Sequence, residues 1–110
     1  MTDDKTNIYL YFGYRKYLSD ICEYKKQNEK GFSFREFARR SGVKSPNFLE
    51  RLVAGTRNLK HSTIPKVSGA LDHTPEEAKY FENLVYFDQA GTTDEKAKFY
   101  KELNKLRAPY

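Results

Sequence analysis

The sequence predicts an all-α domain of five to six helices, and three features of the chain favour this fold class. Apolar residues recur at three- and four-residue steps along most of the 110 residues, which is the spacing of one face of an α-helix. Residue types that cap or end helices separate these stretches. The linkers are short, and no internal repeat or low-complexity segment interrupts the pattern. We therefore expect a single helical domain over residues 1–110.

The first helix is expected at about residues 12–27. The run at residues 8–12 that leads into it is continuously apolar and aromatic, and two alternatives stay open there, an extended arm or the start of a helix. The chain contains eight Phe and nine Tyr, so the core should be rich in aromatic side chains. The apolar face that the first helix contributes to this core consists of Tyr14, Tyr17, Leu18, Ile21, Cys22 and Tyr24.

The second helix is expected at about residues 34–41 and should end in a tight turn. Ser33 precedes it and Glu36 follows three residues later, which is the spacing of a capping box. Gly42 is the residue type that adopts the left-handed conformation beyond a helix end without steric cost. The side chains that this helix should turn inward are Phe34, Phe37 and Ala38.

The third helix is expected at about residues 46–53. Ser45 should be its N-cap and Pro46 its first helical residue, a combination that is common at helix starts. Gly55 should close it. Residues 33–55 therefore predict a helix-turn-helix. The side chains that the third helix should bury are Leu49, Leu52 and Val53.

Three more helices are expected in the second half of the chain. A short fourth helix should be capped by Ser62 or Thr63 and carry a proline in its first turn. A fifth is expected at about residues 75–90, because Thr74 and a following proline repeat the cap-and-proline start. A sixth is expected at about residues 95–106.

Basic residues are concentrated in the middle of the chain. The formal net charge is +5, but residues 31–70 carry eight basic and two acidic groups and so account for +6. Residues 1–30 carry +1 and residues 71–110 carry −2. A basic centre between nearly neutral and acidic flanks is typical of a surface that binds a polyanion.

A helix-turn-helix places one helix in the DNA major groove while the other braces it across the backbone. On the free side of the third helix, Arg51 suits the O6 and N7 atoms of guanine and Asn47 suits the N6 and N7 atoms of adenine. Phe48 lies at the border of this side and has two open interpretations, contact with a thymine methyl group or a place in the core. The candidate base-reading residues are Ser45, Asn47, Phe48 and Arg51.

Polar and basic residues around the third helix are candidates for contacts with DNA phosphates. Such contacts set the position of the protein on the duplex without reading its sequence, and they weaken as salt rises. Glu50 is the observation that favours a different role, because a carboxylate on the free side repels phosphate unless it accepts from cytosine or pairs with Arg51. The candidate phosphate-binding residues are Ser33, Arg35, Arg39, Lys44, Thr56, Arg57, Asn58 and Lys60.

These residues resemble the helix-turn-helix superfamily of phage repressors. The interval from Gly42 to Gly55 is one residue longer than in the commonest pattern of that superfamily, which affects the register of the base-facing residues. The resemblance implies a repressor-like core of five helices and a regulatory role, with Asn47 and Arg51 on the reading helix. It is carried by Phe37-Ala38, Gly42-Val43, Leu49, Leu52, Gly55, Arg57-Asn58 and Val67 through Leu71.

Residues 8–103 are also similar to the N-terminal part of a family of bacterial transcriptional regulators. Members of that family join the helix-turn-helix module to a larger C-terminal domain of unknown function. The resemblance is carried by Tyr14-Arg15-Lys16-Tyr17-Leu18, Ser45-Pro46-Asn47-Phe48-Leu49, Gly55-Thr56-Arg57-Asn58-Leu59 and Lys79-Tyr80-Phe81-Glu82-Asn83-Leu84-Val85.

The fifth helix is apolar around most of its circumference, more than one small core can cover. Two explanations stay open, a homodimer formed through the helices of residues 75–106, or a docking surface for a further domain. A two-fold dimer would place two reading helices about 34 Å apart, as a pseudo-palindromic DNA site requires. The side chains in question are Tyr80, Phe81, Leu84, Val85, Tyr86 and Phe87.

The remaining residues offer little for catalysis or for metal and cofactor binding, and we expect no enzyme, no cofactor and no metal. Cys22 is the only cysteine and should pack as a small hydrophobe in the core. His61 and His73 should lie in loops or at helix ends, and neither belongs to a catalytic motif. No run of about 18 apolar residues is present and the N-terminus is acidic, so we expect a cytoplasmic protein without membrane contact.

The function that the sequence favours is sequence-specific binding of double-stranded DNA by a transcriptional regulator. The third helix is expected to enter the major groove. The alternative is a protein–protein interaction module, an adaptor or antitoxin-like partner, which uses the same fold without reading DNA.

Overall fold

A computed structural model describes residues 7–45 and 47–108, and this part of the chain is helical without any strand, which confirms the all-α prediction. A single-turn 3-10 helix at Ile8–Leu10 comes first. Six α-helices follow: α1 (Tyr14–Asn28), α2 (Phe34–Arg40), α3 (Phe48–Ala54), α4 (Ile64–Ala70), α5 (Pro75–Gln89) and α6 (Thr93–Arg107). In this part of the chain no helix combines the length and the apolar character that crossing a membrane requires.

The core is built around α5, which packs against α1, α4, α6 and the N-terminal 3-10 helix. Its largest members are aromatic, as the composition predicts. The fully buried aromatic side chains are Tyr14, Phe37, Phe48, Tyr80 and Phe81.

The N-terminal segment is neither a continuous helix nor a free arm. Ile8 and Tyr9 are buried within its single 3-10 turn, whereas Tyr11 is extended. The Tyr80 hydroxyl donates a hydrogen bond of 2.8 Å to the Tyr11 carbonyl oxygen, and the rings of Tyr9 and Tyr80 lie 5.0 Å apart. Tertiary contacts with α5 therefore decide the conformation that local sequence left open.

Side-chain caps begin α2, α5 and α6. The Ser33 hydroxyl accepts from the Glu36 amide at 3.0 Å, and Thr74 forms a full capping box with Glu77. The cap of α6 is Thr92, so this helix begins two residues earlier than expected. The Glu36 carboxylate binds arginine side chains of its own helix instead of returning to the cap.

The expected start of α3 is wrong. Asn47, not Ser45, is the N-cap, and its conformation (φ −100°, ψ 20°) keeps it outside the helix. Pro46, expected as the first helical residue, lies outside the described residues. Seven residues thus separate α2 from α3, where a helix-turn-helix usually has about three or four. The longer Gly42–Gly55 interval is taken up in this connection.

The prediction that Val53 is buried is also wrong, since 37% of the residue is exposed. At 100° of rotation per residue, the buried side chains of Phe48, Leu49 and Leu52 share one face of α3. Val53 lies at the edge of that face. It is left on the surface because α3 is short and packs through this face alone.

The second apolar face of α5 is covered within the chain. The rings of Tyr86 and Phe99 lie 5.3 Å apart, those of Phe87 and Tyr100 lie 5.9 Å apart, and Leu103 of α6 is fully buried. Because α6 covers much of this face, the apolar circumference of α5 no longer requires a partner. The homodimer stays a prediction, and the apolar circumference of α5 no longer supports it.

Candidate nucleic-acid interface

The side of α3 that faces away from the core is exposed. Asn47, Glu50, Arg51 and Ala54 all lie on the surface, so no other part of the described chain covers them. Arg51 makes no ion pair within the described residues. Two of the four candidate base-reading residues, Asn47 and Arg51, thus have accessible side chains.

Phe48 belongs to the core. Its exposed fraction is 1%, and its ring stacks on that of Phe37 with the centroids 5.7 Å apart and 18° between the planes. The Arg57 guanidinium lies over the Phe48 ring, 4.9 Å from its centroid. Of the two interpretations of Phe48, the core position is confirmed, and its assignment as a base-reading residue is wrong.

A cationic groove lies between α2 and the connection to α3. Its volume is about 650 Å³, and no acidic residue of the described chain lines it. The Lys66 side chain reaches it from α4, because its Cδ would lie 3.5 Å from a Cβ atom placed on Gly42. Ser45 lies among these cations and not at the head of α3. The lining residues are Arg35, Ala38, Arg39, Gly42, Val43, Lys44 and Ser45.

Most of the basic side chains of residues 31–70 make no ion pair with another described residue. Arg39 and Arg40 are the exceptions, because both bind Glu36, and these hydrogen bonds, that from Arg39 first, lower the pKa of the Glu36 carboxyl group to about 2. Arg40 also forms an ion pair with Glu29. The cations of this segment that make no ion pair among the described residues are Arg35, Lys44, Arg51, Arg57, Lys60 and Lys66.

Arg15 of α1 fixes the loop that follows α3, and sequence reasoning missed this role. Its guanidinium donates to the carbonyl oxygens of Leu52 (2.7 Å) and Arg57 (2.9 Å). It also donates to Oδ1 of Asn58 (2.7 Å) and forms an ion pair with Asp88 of α5 (3.2 Å). A usable signal existed, because the last carbonyls of a short helix need donors from outside it.

Gln89 holds the same loop from α5. Its amide nitrogen donates to the Leu59 carbonyl oxygen at 3.0 Å, and its Oε1 accepts from the Leu59 amide at 2.9 Å. The Tyr14 hydroxyl donates to this Oε1 at 2.8 Å, and burial raises the pKa of Tyr14 to about 12. The loop that carries Arg57 is thus anchored to α1 and α5 at several points.

The candidate phosphate-binding residues differ in how free their polar atoms are. The side chains of Arg35, Lys44 and Lys60 are exposed and make no ion pair among the described residues. Arg39 shares its guanidinium with Glu36, and the Asn58 oxygen is used by Arg15. The hydroxyls of Ser33 and Thr56 already serve the backbone, as the cap of α2 and as a donor to the Arg51 carbonyl oxygen, respectively.

The surroundings of the cysteine and of both histidines suit structural roles in the fold. Cys22 is fully buried as predicted, and burial raises its pKa to about 12. His73 bonds Ser68 Oγ through Nδ1 (3.0 Å) and the Tyr17 hydroxyl through Nε2 (2.8 Å). His61 stacks on Tyr86, with 5.9 Å between the ring centroids. In the part of the chain that is described, no cluster of three or more His, Cys, Asp or Glu side chains could hold a metal ion.

Comparisons of this chain with protein-family models, with curated proteins and with solved structures find no match. The resemblance to helix-turn-helix regulators therefore rests on the residues alone and stays a prediction.

Proposed function

We propose that this protein is a sequence-specific, double-stranded DNA-binding regulator of transcription that acts in the bacterial cytoplasm and inserts α3 into the major groove. One observation supports the proposal most strongly. The exposed side of α3 carries Asn47 and Arg51, and the connection that leads into α3 forms, with α2, a groove lined by Arg35, Arg39 and Lys44 and by no acidic residue of the described chain.

The spacing of Asn47 and Arg51 suits readout of neighbouring bases. Residues four apart lie on the same side of a helix, about one turn from each other. In a helix-turn-helix, the N-terminal residues of the recognition helix contact the base edges. Asn47 lies at this end of α3. In this arrangement Arg51 donates to guanine and Asn47 pairs with adenine.

The cations next to α3 supply the phosphate contacts in this proposal. Lys44 and Arg35 line the groove on the α2 side, and Arg57 lies beside Phe48, the residue that follows Asn47. They are not committed to carboxylates, so contact with a phosphate does not require an existing ion pair to break.

Glu50 is the acidic residue of α3, and it does not line the cationic groove. At 100° per residue it is separated from Arg51 by about 100° around α3, and it lines a different groove, together with Glu23 of α1. Repulsion between Glu50 and DNA phosphates is smallest if the duplex lies towards Arg51 and Lys44. In this proposal the duplex therefore lies over the cationic groove.

The test is duplex binding measured by fluorescence anisotropy in buffers of increasing salt. The candidate phosphate-binding residues include five cations, Arg35, Arg39, Lys44, Arg57 and Lys60. If all five contact phosphates, the affinity for DNA should fall several-hundred-fold between about 50 and 200 mM salt. Arg51→Ala should reduce the preference for a selected site over random DNA by about tenfold, because one bidentate contact with guanine is lost. Lys101→Ala removes an exposed cation of α6 and should leave that preference unchanged.

A protein–protein interaction module gives a different result. It would show no preference among duplexes, and Arg51→Ala would then change affinity no more than Lys101→Ala does. That outcome would refute the proposed function.

A further inference from the structure

A second groove lies on the opposite flank of α3, between this helix, α1 and the start of α2. Its volume is about 350 Å³, near the lower end of the range of about 300–1,000 Å³ that is usual for ligand pockets. The walls carry apolar side chains, among which Val53 is 37% exposed. The lining residues are Ser19, Glu23, Phe34, Leu49, Glu50, Val53 and Ala54.

The charge of this groove is opposite to that of the protein. Its two charged lining residues, Glu23 and Glu50, make no ion pair among the described residues, and the one contact of the Glu23 carboxylate is the Gln27 amide at 3.1 Å. A cation, Lys26, is close to one wall, since its Nζ lies 4.9 Å from the centroid of the Phe34 ring. A carboxylate-bearing apolar groove on a chain of net charge +5 is thus a local exception.

The apolar walls and the two carboxylates together limit which kinds of molecule can bind in the groove. DNA is repelled by the two carboxylates, and an uncharged small molecule leaves them without counter-charges. A protein segment satisfies both features if an apolar side chain enters between Phe34 and Val53 while flanking Lys or Arg side chains meet Glu23 and Glu50.

We propose that the groove between α1 and α3 binds a segment of a partner protein in which an apolar side chain is flanked by basic residues. The site borders the proposed DNA face, because Glu50 and Ala54 line the groove and lie on the same exposed side of α3 as Asn47 and Arg51. This inference does not depend on DNA binding by α3.

The probe is a short labelled peptide with a central Leu flanked on both sides by Lys and Arg, titrated with the whole chain. Net charge alone predicts repulsion between this peptide and the protein, so binding reports on the groove. The expected result is that changing the central Leu to Ser weakens binding about tenfold, and that replacing the flanking residues by Glu abolishes it.

Variants of exposed residues locate the site. Val53→Ser and the double variant Glu23→Gln with Glu50→Gln should each raise the Kd for the Leu-centred peptide about fivefold or more. The matched control, Glu76→Gln with Asp94→Asn, removes two exposed carboxylates outside the groove and should leave the Kd unchanged.

Three outcomes of the peptide titrations would overturn the proposal. These are a lack of binding by the Leu-centred peptide, equal binding of its Glu-flanked analogue, or an equal effect of the two double variants. Sedimentation of the free protein tests whether a second copy of the chain occupies the groove. Self-association that Val53→Ser abolishes would also overturn the proposal. Loss of DNA binding in the Arg51 variant leaves these results unaffected, so the two proposals fail separately.

Discussion

At the scale of single residues, Arg15 has the most consequential position. It lies in α1, far from α3 in sequence, yet it satisfies the backbone at the end of α3 and in the loop beyond it. Its side chain is 21% exposed, so these acceptors are largely shielded from water. The placement of Arg57 and Asn58 beside α3 therefore depends on a residue outside the helix-turn-helix.

Replacing Arg15 by Met keeps most of the apolar stem and removes all donors. The carbonyl oxygens of Leu52 and Arg57 then lose a charged partner, and we expect the free energy of unfolding to fall by about 2–3 kcal/mol in urea titrations. Lys16→Ala, which removes an exposed ion pair with Asp20, should cost less than about 1 kcal/mol. Equal costs for the two variants would contradict the anchoring role of Arg15.

His73 gives the protein a pH-dependent stability. Burial lowers the pKa of His73 from 6.5 to about 4, so the folded state disfavours its protonation. The unfolded chain binds this proton between these two values, and the contribution of His73 to stability is present above pH 6.5 and decreases as the pH falls towards 4.

We expect the free energy of unfolding to drop by about 2 kcal/mol between pH 7 and pH 5 because of His73. His73→Gln keeps hydrogen-bonding groups next to Tyr17 and Ser68 but does not titrate, so the drop should largely disappear in chemical unfolding at the two pH values. An unchanged drop in the variant would show that other groups cause it.

At the scale of elements, the sequence predicted α1, α2 and α5 to within about two residues, because their caps and glycines act locally. The N-cap of α3 was assigned to Ser45 instead of Asn47 because both residue types are favoured at this position. Val53 was misplaced because its exposure depends on which face of a seven-residue helix meets α1 and α2. The second error concerns packing between elements, which local patterns do not encode.

The candidate site was predictable in part, for the same reason. Exposure of Asn47 and Arg51 follows from the periodicity of α3, and it is present in the structure. The role of Arg15 depends on contacts across more than 35 positions in the chain, and the covering of α5 by α6 depends on how two helices pair. Neither the Arg15 contacts nor the pairing of α5 with α6 can be predicted from the sequence of a single helix.

Two glycines should respond to substitution in opposite directions. Gly55 ends α3 with φ 82°, and a Cβ atom there meets nothing within 4 Å, so Gly55→Ala should cost about 1–2 kcal/mol through backbone strain alone. Gly69 is inside α4 and equally unobstructed, so Gly69→Ala should stabilise the protein by about 0.5–1 kcal/mol. Thermal unfolding of both variants checks this, and shifts of the same sign would contradict it.

At the scale of the whole molecule, the two grooves differ in charge. The groove between α2 and the connection that leads into α3 is lined by Arg35 and Lys44 and by no carboxylate of the described residues, whereas Glu23 and Glu50 line the groove between α1 and α3. A solubilising surface has no reason to separate the two signs in this way. The separation supports a molecule that holds a polyanion at the first groove and a basic partner at the second.

The most direct test of this account is selection of bound sequences from a pool of random DNA duplexes, carried out in parallel with the wild-type chain and the Arg51→Ala variant. We predict that the wild type enriches one motif containing a guanine whose preference is lost in the variant, and a two-fold-related motif would also support the homodimer. Enrichment of no motif by the wild type, or of the same motif by both proteins, would contradict the claim that α3 reads DNA.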